Sequence, residues 1–94
     1  MKGEKGGKKK TMFLEIVTPD EKVFEGEVMH ATFPGADGSF QLLNNHAAMV
    51  AVLGKGDIKY QQEKQKEVRI LVEGGVVEVM NNKVNVLVEK IHAE

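Results

Sequence analysis

Three histidines are the first side chains in this 94-residue chain that suggest metal or acid–base chemistry. His30, His46 and His92 lie far apart in the sequence, so they do not form the i, i+2 or i, i+4 pairs with which histidines bind a metal. A small metal hydrolase using His30 or His46 with nearby carboxylates remains one hypothesis. The spacing disfavours it, and the sequence predicts no metal site.

The other candidate groups for catalysis have simpler structural explanations. Ser39 is the only serine and lies in a glycine-rich turn, where a turn role is favoured over that of a nucleophile. Glu25 and Glu27 share one face of a predicted strand, where solvated glutamates are commoner than a catalytic pair. The absence of cysteine excludes disulfides and thiol catalysis. The chain is therefore predicted to be a binding or structural module that is not an enzyme and uses no cofactor.

The charge of the chain is divided unevenly along its length. Residues 1–11 contain five lysines and one glutamate, a charge of +4, so the overall −1 leaves −5 for residues 12–94. Because residues 1–11 contain no apolar side chain beyond Met1, we predict a disordered basic extension or an expression tag. Binding of a polyanion or a membrane surface through Lys8-Lys9-Lys10 is the alternative function. The acidic remainder disfavours a nucleic-acid partner.

From residue 12 onward, apolar and polar residues alternate with the period of two that is typical of β-strands. Asn81-Asn82 separates two such segments and predicts a two-residue type I′ hairpin turn. Residues 45–53 are the most helix-like stretch. Many short strands with turns every 8–12 residues favour an all-β sandwich or barrel. The residues predicted to be mostly buried are Phe24, Val28, Val68, Ile70, Val72, Val77, Val79, Val84, Val86 and Val88.

Several short motifs occur in an informative order along the chain. They are Ile16-Val17-Thr18-Pro19, Val23-Phe24-Glu25-Gly26-Glu27-Val28, Pro34-Gly35 with Gly38, Asn45-His46-Ala47, Gly74-Gly75-Val76-Val77-Glu78-Val79 and Asn82-Lys83-Val84-Asn85-Val86-Leu87. In this order and spacing the chain resembles the N-terminal β-sandwich domain of the epsilon subunit of F-type ATP synthase. The resemblance implies a flattened antiparallel sandwich of about ten short strands in two sheets, over residues 12–89.

The resemblance also implies a function. A subunit of this kind lies in the central stalk of the rotary enzyme, binds the gamma subunit and the polar loops of the c-ring, and couples ion-driven rotation to ATP synthesis. The ion is a proton or sodium. The implied location is the cytoplasmic face of the bacterial inner membrane, or the stromal face of the thylakoid, as a peripheral protein with no small-molecule substrate.

Two groups of contact residues follow from the resemblance. The expected c-ring and gamma contacts are Gly35, Asp37, Gly38, Ser39, Phe40 and His46. An apolar patch facing gamma is expected from at least part of a set of outward positions that ought to be polar, while other members of the set fill the core. The set is Met29, Leu43, Met49, Leu71, Met80 and Leu87.

Residues 90–94 are expected to form a short tail after the last strand. Members of the family commonly continue into a two-helix domain that can restrain ATP hydrolysis and in some cases binds ATP. Ile91 is the only large apolar side chain in the tail, so it has no amphipathic face with which to pack as a helix. We therefore expect a coupling subunit without this helical brake and without a nucleotide site.

Overall fold

The computed structural model describes residues 10–92, and all the regular secondary structure in this range is β-strand. The seven strands are β1 (Met12–Val17), β2 (Lys22–Val28), β3 (His30–Phe33), β4 (Phe40–Leu43), β5 (Met49–Gln61), β6 (Val68–Met80) and β7 (Lys83–His92). The predicted all-β fold is confirmed. Across residues 10–92 there is also no helix long and apolar enough to span a membrane.

The strands form one hydrogen-bonded sheet in the order β2-β1-β7-β6-β5-β3-β4. Neighbours are antiparallel with one exception, because β1 and β7 run parallel from the Phe13–Lys83 pair to the Val17–Leu87 pair. The expectation of a purely antiparallel arrangement is therefore wrong at this pair. A parallel pair needs a long crossover between its strands, and the five strands between β1 and β7 in the chain provide it.

The long strand β6 changes its buried face partway along its length. Val77 and Val79 are buried on one side of Gly75, whereas Val72 is buried on the other. Side chains alternate with a period of two, so these positions cannot all point to the same face of a regular strand. The change occurs at Gly74 and Gly75, whose φ angles of 76° and 147° are open to glycine and rarely adopted by other residues.

The neighbouring strands β5 and β7 change face at the same level. In β5, Leu53 is buried at an odd-numbered position and Ile58 at an even-numbered one, so the buried face changes between them. Leu53 pairs with Gly75, which places the change at the same level as in β6. In β7 the buried positions shift from Val88 to Ile91, which is partly buried against the core. Each of these three strands therefore contributes one segment to each of two layers.

We call these the first and second layers. The first contains β2, β1 and residues 83–88, 75–80 and 49–53, and the second contains β4, β3 and residues 55–61, 68–73 and 90–92. The sheet folds over so that the layers touch: the rings of Phe24 in the first and Tyr60 in the second have centroids 4.2 Å apart. The seven strands thus supply five segments to each layer, which accounts for the ten strands expected from the resemblance.

The core between the layers contains most of the residues predicted to be buried. Seven of the ten predicted residues are buried, and Phe24 and Ile70 are partly buried. Val68 is exposed, contrary to the prediction, because it is the first residue of β6 and directly follows the exposed residues 63–67. The core consists of Met12, Leu14, Ile16, Val28, Ala31, Phe33, Leu42, Leu53, Ile58, Tyr60, Val72, Val77, Val79, Val84, Val86 and Val88.

Two local expectations can also be compared with the structure. Asn81 and Asn82 have φ angles of 52° and 62° and connect the Met80–Lys83 pair, which confirms the type I′ turn. Residues 45–53, the most helix-like stretch, form a turn and then strand β5 from Met49 onward. These residues form a strand rather than a helix because Met49 to Leu53 pair residue by residue with β6.

The last strand continues beyond the predicted boundary at residue 89. Lys90, Ile91 and His92 pair with Glu73, Val72 and Leu71, so these three residues belong to the sheet rather than to a separate tail. The predicted disordered extension falls almost entirely on residues 1–9, which lie outside the described range, as do residues 93–94.

Candidate interaction surface

The loop of residues 34–38, which was predicted to contact the c-ring, is anchored to strand β5. The backbone amide of Ala36 donates to the carbonyl of Val52 at 2.9 Å, and the amide of Gly54 donates to the carbonyl of Pro34 at 2.8 Å. Gly35 also forms an isolated bridge with Leu53. These bonds hold the loop against the first layer.

The residues in and after this loop that were predicted to make contacts are largely accessible to solvent. Asp37, Gly38 and Ser39 are exposed, and Phe40 is half-buried because its ring stacks on Phe33 with centroids 5.5 Å apart. The loop and β5 together line a shallow cavity of about 330 Å³. Its lining includes Val50, so the loop adjoins apolar surface.

His46, the other predicted contact residue, is exposed between β4 and β5. Its Nδ1 atom lies 2.8 Å from the carbonyl oxygen of Ala47. The amide of the preceding residue, Asn45, donates to the side-chain oxygen of Asn82 at 2.6 Å. His46 therefore lies beside the turn between β6 and β7, whereas the loop of residues 34–38 lies along residues 50–54.

The six residues of the predicted apolar patch do not form one surface. Met29, Leu43, Met80 and Leu87 are exposed, and Met49 is partly buried against the core. Leu71 is partly buried, and it pairs with Asp57 and His92 in the second layer. Leu71 and Leu87 consequently lie on the outer faces of different layers.

The structure instead reveals a contiguous apolar row that the sequence analysis missed. Val52 pairs with Val76, Val76 with Leu87, and Leu87 with Val17, so four strands of the first layer place apolar side chains side by side. Val52 is 62% exposed, Leu87 49% and Val76 42%, while Val17 is half-buried. We call these four residues the apolar row. The alternation of strand β7 indicated Leu87, but the pairing register was needed to find the other three.

An acidic row runs beside the apolar row on the same outer face. Glu25, Glu15, Asn85 and Glu78 pair in succession across β2, β1, β7 and β6. Lys22 Nζ lies 2.6 Å from Glu25 Oε1 and 3.5 Å from Glu15 Oε2, and the hydrogen bond and charge of Glu25 chiefly raise the pKa of the Lys22 ammonium.

A groove of about 440 Å³ lies between these two rows. It is lined by Glu15, Val17, Val76, Glu78, Asn85, Val86 and Leu87. This face therefore offers a partner an apolar centre with an acidic edge.

The groups first considered for catalysis are dispersed. Within residues 10–92 no cluster of three or more histidine or carboxylate side chains could hold a metal ion. The ring of His92 lies 2.9 Å from Glu73 Oε1, while the buried Nδ1 of His30 has no hydrogen-bond partner among residues 10–92. Glu25 binds Lys22, and Glu27 accepts a bond of 2.9 Å from the Thr11 hydroxyl.

Comparison with known proteins identifies relatives across nearly the whole chain. Residues 11–94 match the sequence profile of the ATP synthase delta/epsilon chain β-sandwich domain. The ATP synthase epsilon chain of Pelotomaculum thermopropionicum is 45% identical over 83% of this chain and 58% of its own length. The epsilon chain of Chlorobium limicola is 38% identical over 87% of this chain and 93% of its own length.

Solved structures with the same fold come from mitochondrial ATP synthases. A chain in the Tetrahymena thermophila central stalk and c-ring structure has a TM-score of 0.73 and 25% identity, over 90% of this chain and 68% of that one. A chain in the Euglena gracilis OSCP, F1 and c-ring structure has a TM-score of 0.81 and 20% identity, over 87% of this chain and 52% of that one. The second likeness concerns the fold alone.

Proposed function

The chain belongs to the ATP synthase delta/epsilon β-sandwich family, a family of non-catalytic chains of that enzyme, and we propose that it acts as a rotor subunit in the central stalk. The proposed complex is an F-type ATP synthase that translocates protons or sodium ions. In it this chain binds the gamma subunit and the c-ring and transmits ion-driven rotation to ATP synthesis. It would lie at the cytoplasmic face of the membrane, held there through the complex.

The single observation that best supports a binding role is the apolar row on the first layer. Val52, Val76 and Leu87 are well exposed and adjoin one another, although the outer face of a sandwich strand is ordinarily polar. Contiguous exposed apolar surface on a soluble domain marks a contact site. We propose that gamma covers this row, with Leu87 as the member shared with the expected apolar patch.

The c-ring is the second proposed partner. The loop of residues 34–38 is fixed to β5 by backbone hydrogen bonds, and it presents Asp37, Gly38 and Ser39 to solvent. A loop held in this way loses little conformational entropy on binding, and Asp37 can accept hydrogen bonds from a partner. Phe40 follows the loop directly, and His46, beside the turn between β6 and β7, is the remaining proposed contact.

The proposal is tested with variants on the outer faces of the two layers. Leu87→Asp places a charge in the apolar row, and we expect the affinity for the purified gamma subunit, measured by calorimetry, to fall at least tenfold. The matched control is Leu71→Asp, which makes the same change on the second layer and should bind gamma as the unmodified chain does. Circular dichroism checks that both variants are folded. Unchanged binding by Leu87→Asp, or equal losses in both variants, would contradict the proposed gamma surface.

A further inference from the structure

The side chain of Asn82 joins three segments that are distant in the sequence. Its Oδ1 accepts a hydrogen bond from the amide of Asn45 at 2.6 Å, and its Nδ2 donates to the carbonyl of Thr11 at 2.8 Å. The carbonyl of Asn82 also accepts from the amide of Phe13 at 3.1 Å. One residue thus links the β6–β7 turn, the turn after β4 and the chain entering β1.

These contacts bear directly on the segment that carries His46. Residues 44–48 contain a turn and three residues without regular structure, and residues 45–48 are exposed. Asn45 has a φ of 64°, a conformation that an isolated chain adopts sparingly. The hydrogen bond that the Asn45 amide donates to Asn82 Oδ1 favours this conformation and fixes the direction in which the chain continues to His46.

We propose that Asn82 is a positioning residue, which acts through Asn45 to hold the loop of residues 44–48 in the shape that presents His46 to a partner. The functional part of this inference rests on the proposed c-ring contact, whereas the effect on the loop does not depend on it.

The residue type fits both demands of the position. Asn82 has a φ of 62°, which asparagine tolerates better than most residues. Its amide also supplies one acceptor and one donor, which the bonds to Asn45 and Thr11 use separately. The Asn82→Asp variant could keep the bond from Asn45 but would have no donor for Thr11, while the Asn82→Gly variant would keep the turn and lose both bonds. Substitutions at this position therefore separate the two contacts from the turn itself.

The neighbouring residue provides a matched control. Asn81 occupies the other position of the same turn with a φ of 52°, and in the described part of the chain its side chain makes no hydrogen bond. Asn81→Gly therefore changes the same turn as Asn82→Gly without removing a bond between segments. A purely turn-forming role for Asn82 predicts that the two variants behave alike.

Amide hydrogen exchange of the full chain, measured by NMR, tests the effect on the loop. In Asn82→Gly we expect the Asn45 amide to exchange at least tenfold faster. Asn81→Gly should leave this rate within about twofold of the unmodified protein, and Asn82→Asp should retain most of the protection. Equal rates at Asn45 in Asn82→Gly and the unmodified chain would overturn the proposal, as would equal acceleration in the two glycine variants.

Binding to purified c-rings in detergent tests the functional consequence. We expect Asn82→Gly to weaken binding at least threefold. Asn82→Asp and Asn81→Gly should each bind the c-ring nearly as tightly as the unmodified chain. His46→Ala is measured in parallel. If His46→Ala weakens binding and Asn82→Gly does not, the positioning role is overturned and the proposed c-ring contact stands. If His46→Ala and an Asp37→Trp, Ser39→Trp double variant bind normally, the contact itself fails, and the exchange rates alone decide the role of Asn82 in the loop.

Discussion

The outer faces of the two layers differ sharply although both layers pack on the same core. On the second layer, charged side chains find partners within the chain: Arg69 Nη1 lies 3.5 Å from Asp57 Oδ2, and the His92 ring lies 2.9 Å from Glu73. On the first layer, Lys22 also pairs with Glu25 and Glu15. Beside these charges, however, the apolar row crosses four strands, and its members Val52, Val76 and Leu87 are exposed. The first layer therefore offers contiguous apolar surface to a partner, whereas the second layer presents mostly charged and polar side chains to water.

The difference originates within single strands. In β6, Arg69 and Glu73 point outward in the second layer, and Val76 points outward in the first, because the strand changes face at Gly74 and Gly75. The same glycines therefore determine which valines enter the core and which reach the surface. A shift of one residue at this level would exchange the two sets.

The largest expected effect comes from two adjacent valines on opposite sides of β6. Val77 is fully buried, so Val77→Asp places an unpaired charge in the core and should destabilise the domain by more than about 4 kcal/mol. Val76→Asp lies on the apolar row and should cost only about 1 kcal/mol, from lower strand propensity and weaker cross-strand contacts. Urea unfolding followed by circular dichroism measures both. Similar losses in the two variants would show that the first layer has no distinct outer face.

A smaller effect is expected at the level where the strands change face. A Cβ at Gly75 would overlap the carbonyl oxygen of Leu87 and lie 2.9 Å from Cα of Val88. Gly75→Ala should therefore cost about 2–4 kcal/mol, from the overlap together with the unfavourable φ. Gly38→Ala is the control, because Gly38 also has a positive φ of 128° but has open space around it.

Thermal or urea unfolding of the two alanine variants distinguishes overlap from backbone strain. Gly38→Ala should lose only about 1 kcal/mol, the cost of an unfavourable φ alone. If Gly75→Ala lost no more than Gly38→Ala, the close approach of β6 and β7 at this level would not constrain the change of face.

Local patterns in the sequence predicted local structure well. The type I′ turn followed from Asn81-Asn82, and the buried Val84, Val86 and Val88 followed from the alternation of β7. The parallel pairing of β1 with β7 was not predictable in this way. This pairing depends on which strands meet in space, and the alternation of apolar and polar residues within one strand does not indicate which strand will pair with it.

The interaction surface was harder to predict for the same reason. The sequence predicted that Val77 is buried, but it did not show which side chains lie beside the exposed Val76. The pairing of Val76 with Val52 and Leu87 determines that neighbourhood. The positions expected to form an apolar patch were chosen strand by strand, so they fell on both layers. The turn at residues 34–38 was predicted because glycine and proline mark turns directly, whereas its contact with the c-ring stays a proposal.

The smallest expected effect tests whether the second layer depends on its own ion pairs. The hydrogen bond from His92, with the charges of His92, Lys55 and Lys90, lowers the pKa of the Glu73 carboxyl. Because the folded value lies below the unfolded value, the pair adds stability above the unfolded glutamate pKa of about 4.3 and loses it as the pH falls through the folded value. Glu73→Gln should therefore lose less stability than the unmodified chain between pH 5 and pH 3.

Urea unfolding at several pH values in this range measures the difference, which should be small because Glu73 is exposed and solvent screens the pair. Glu78→Gln is the matched control, since Glu78 lies on the outer face of the first layer and forms no ion pair within residues 10–92. Its stability should follow that of the unmodified chain. Parallel curves for Glu73→Gln and the unmodified chain would show that the His92–Glu73 pair does not stabilise the second layer, and the contrast between the faces would then rest on the apolar row alone.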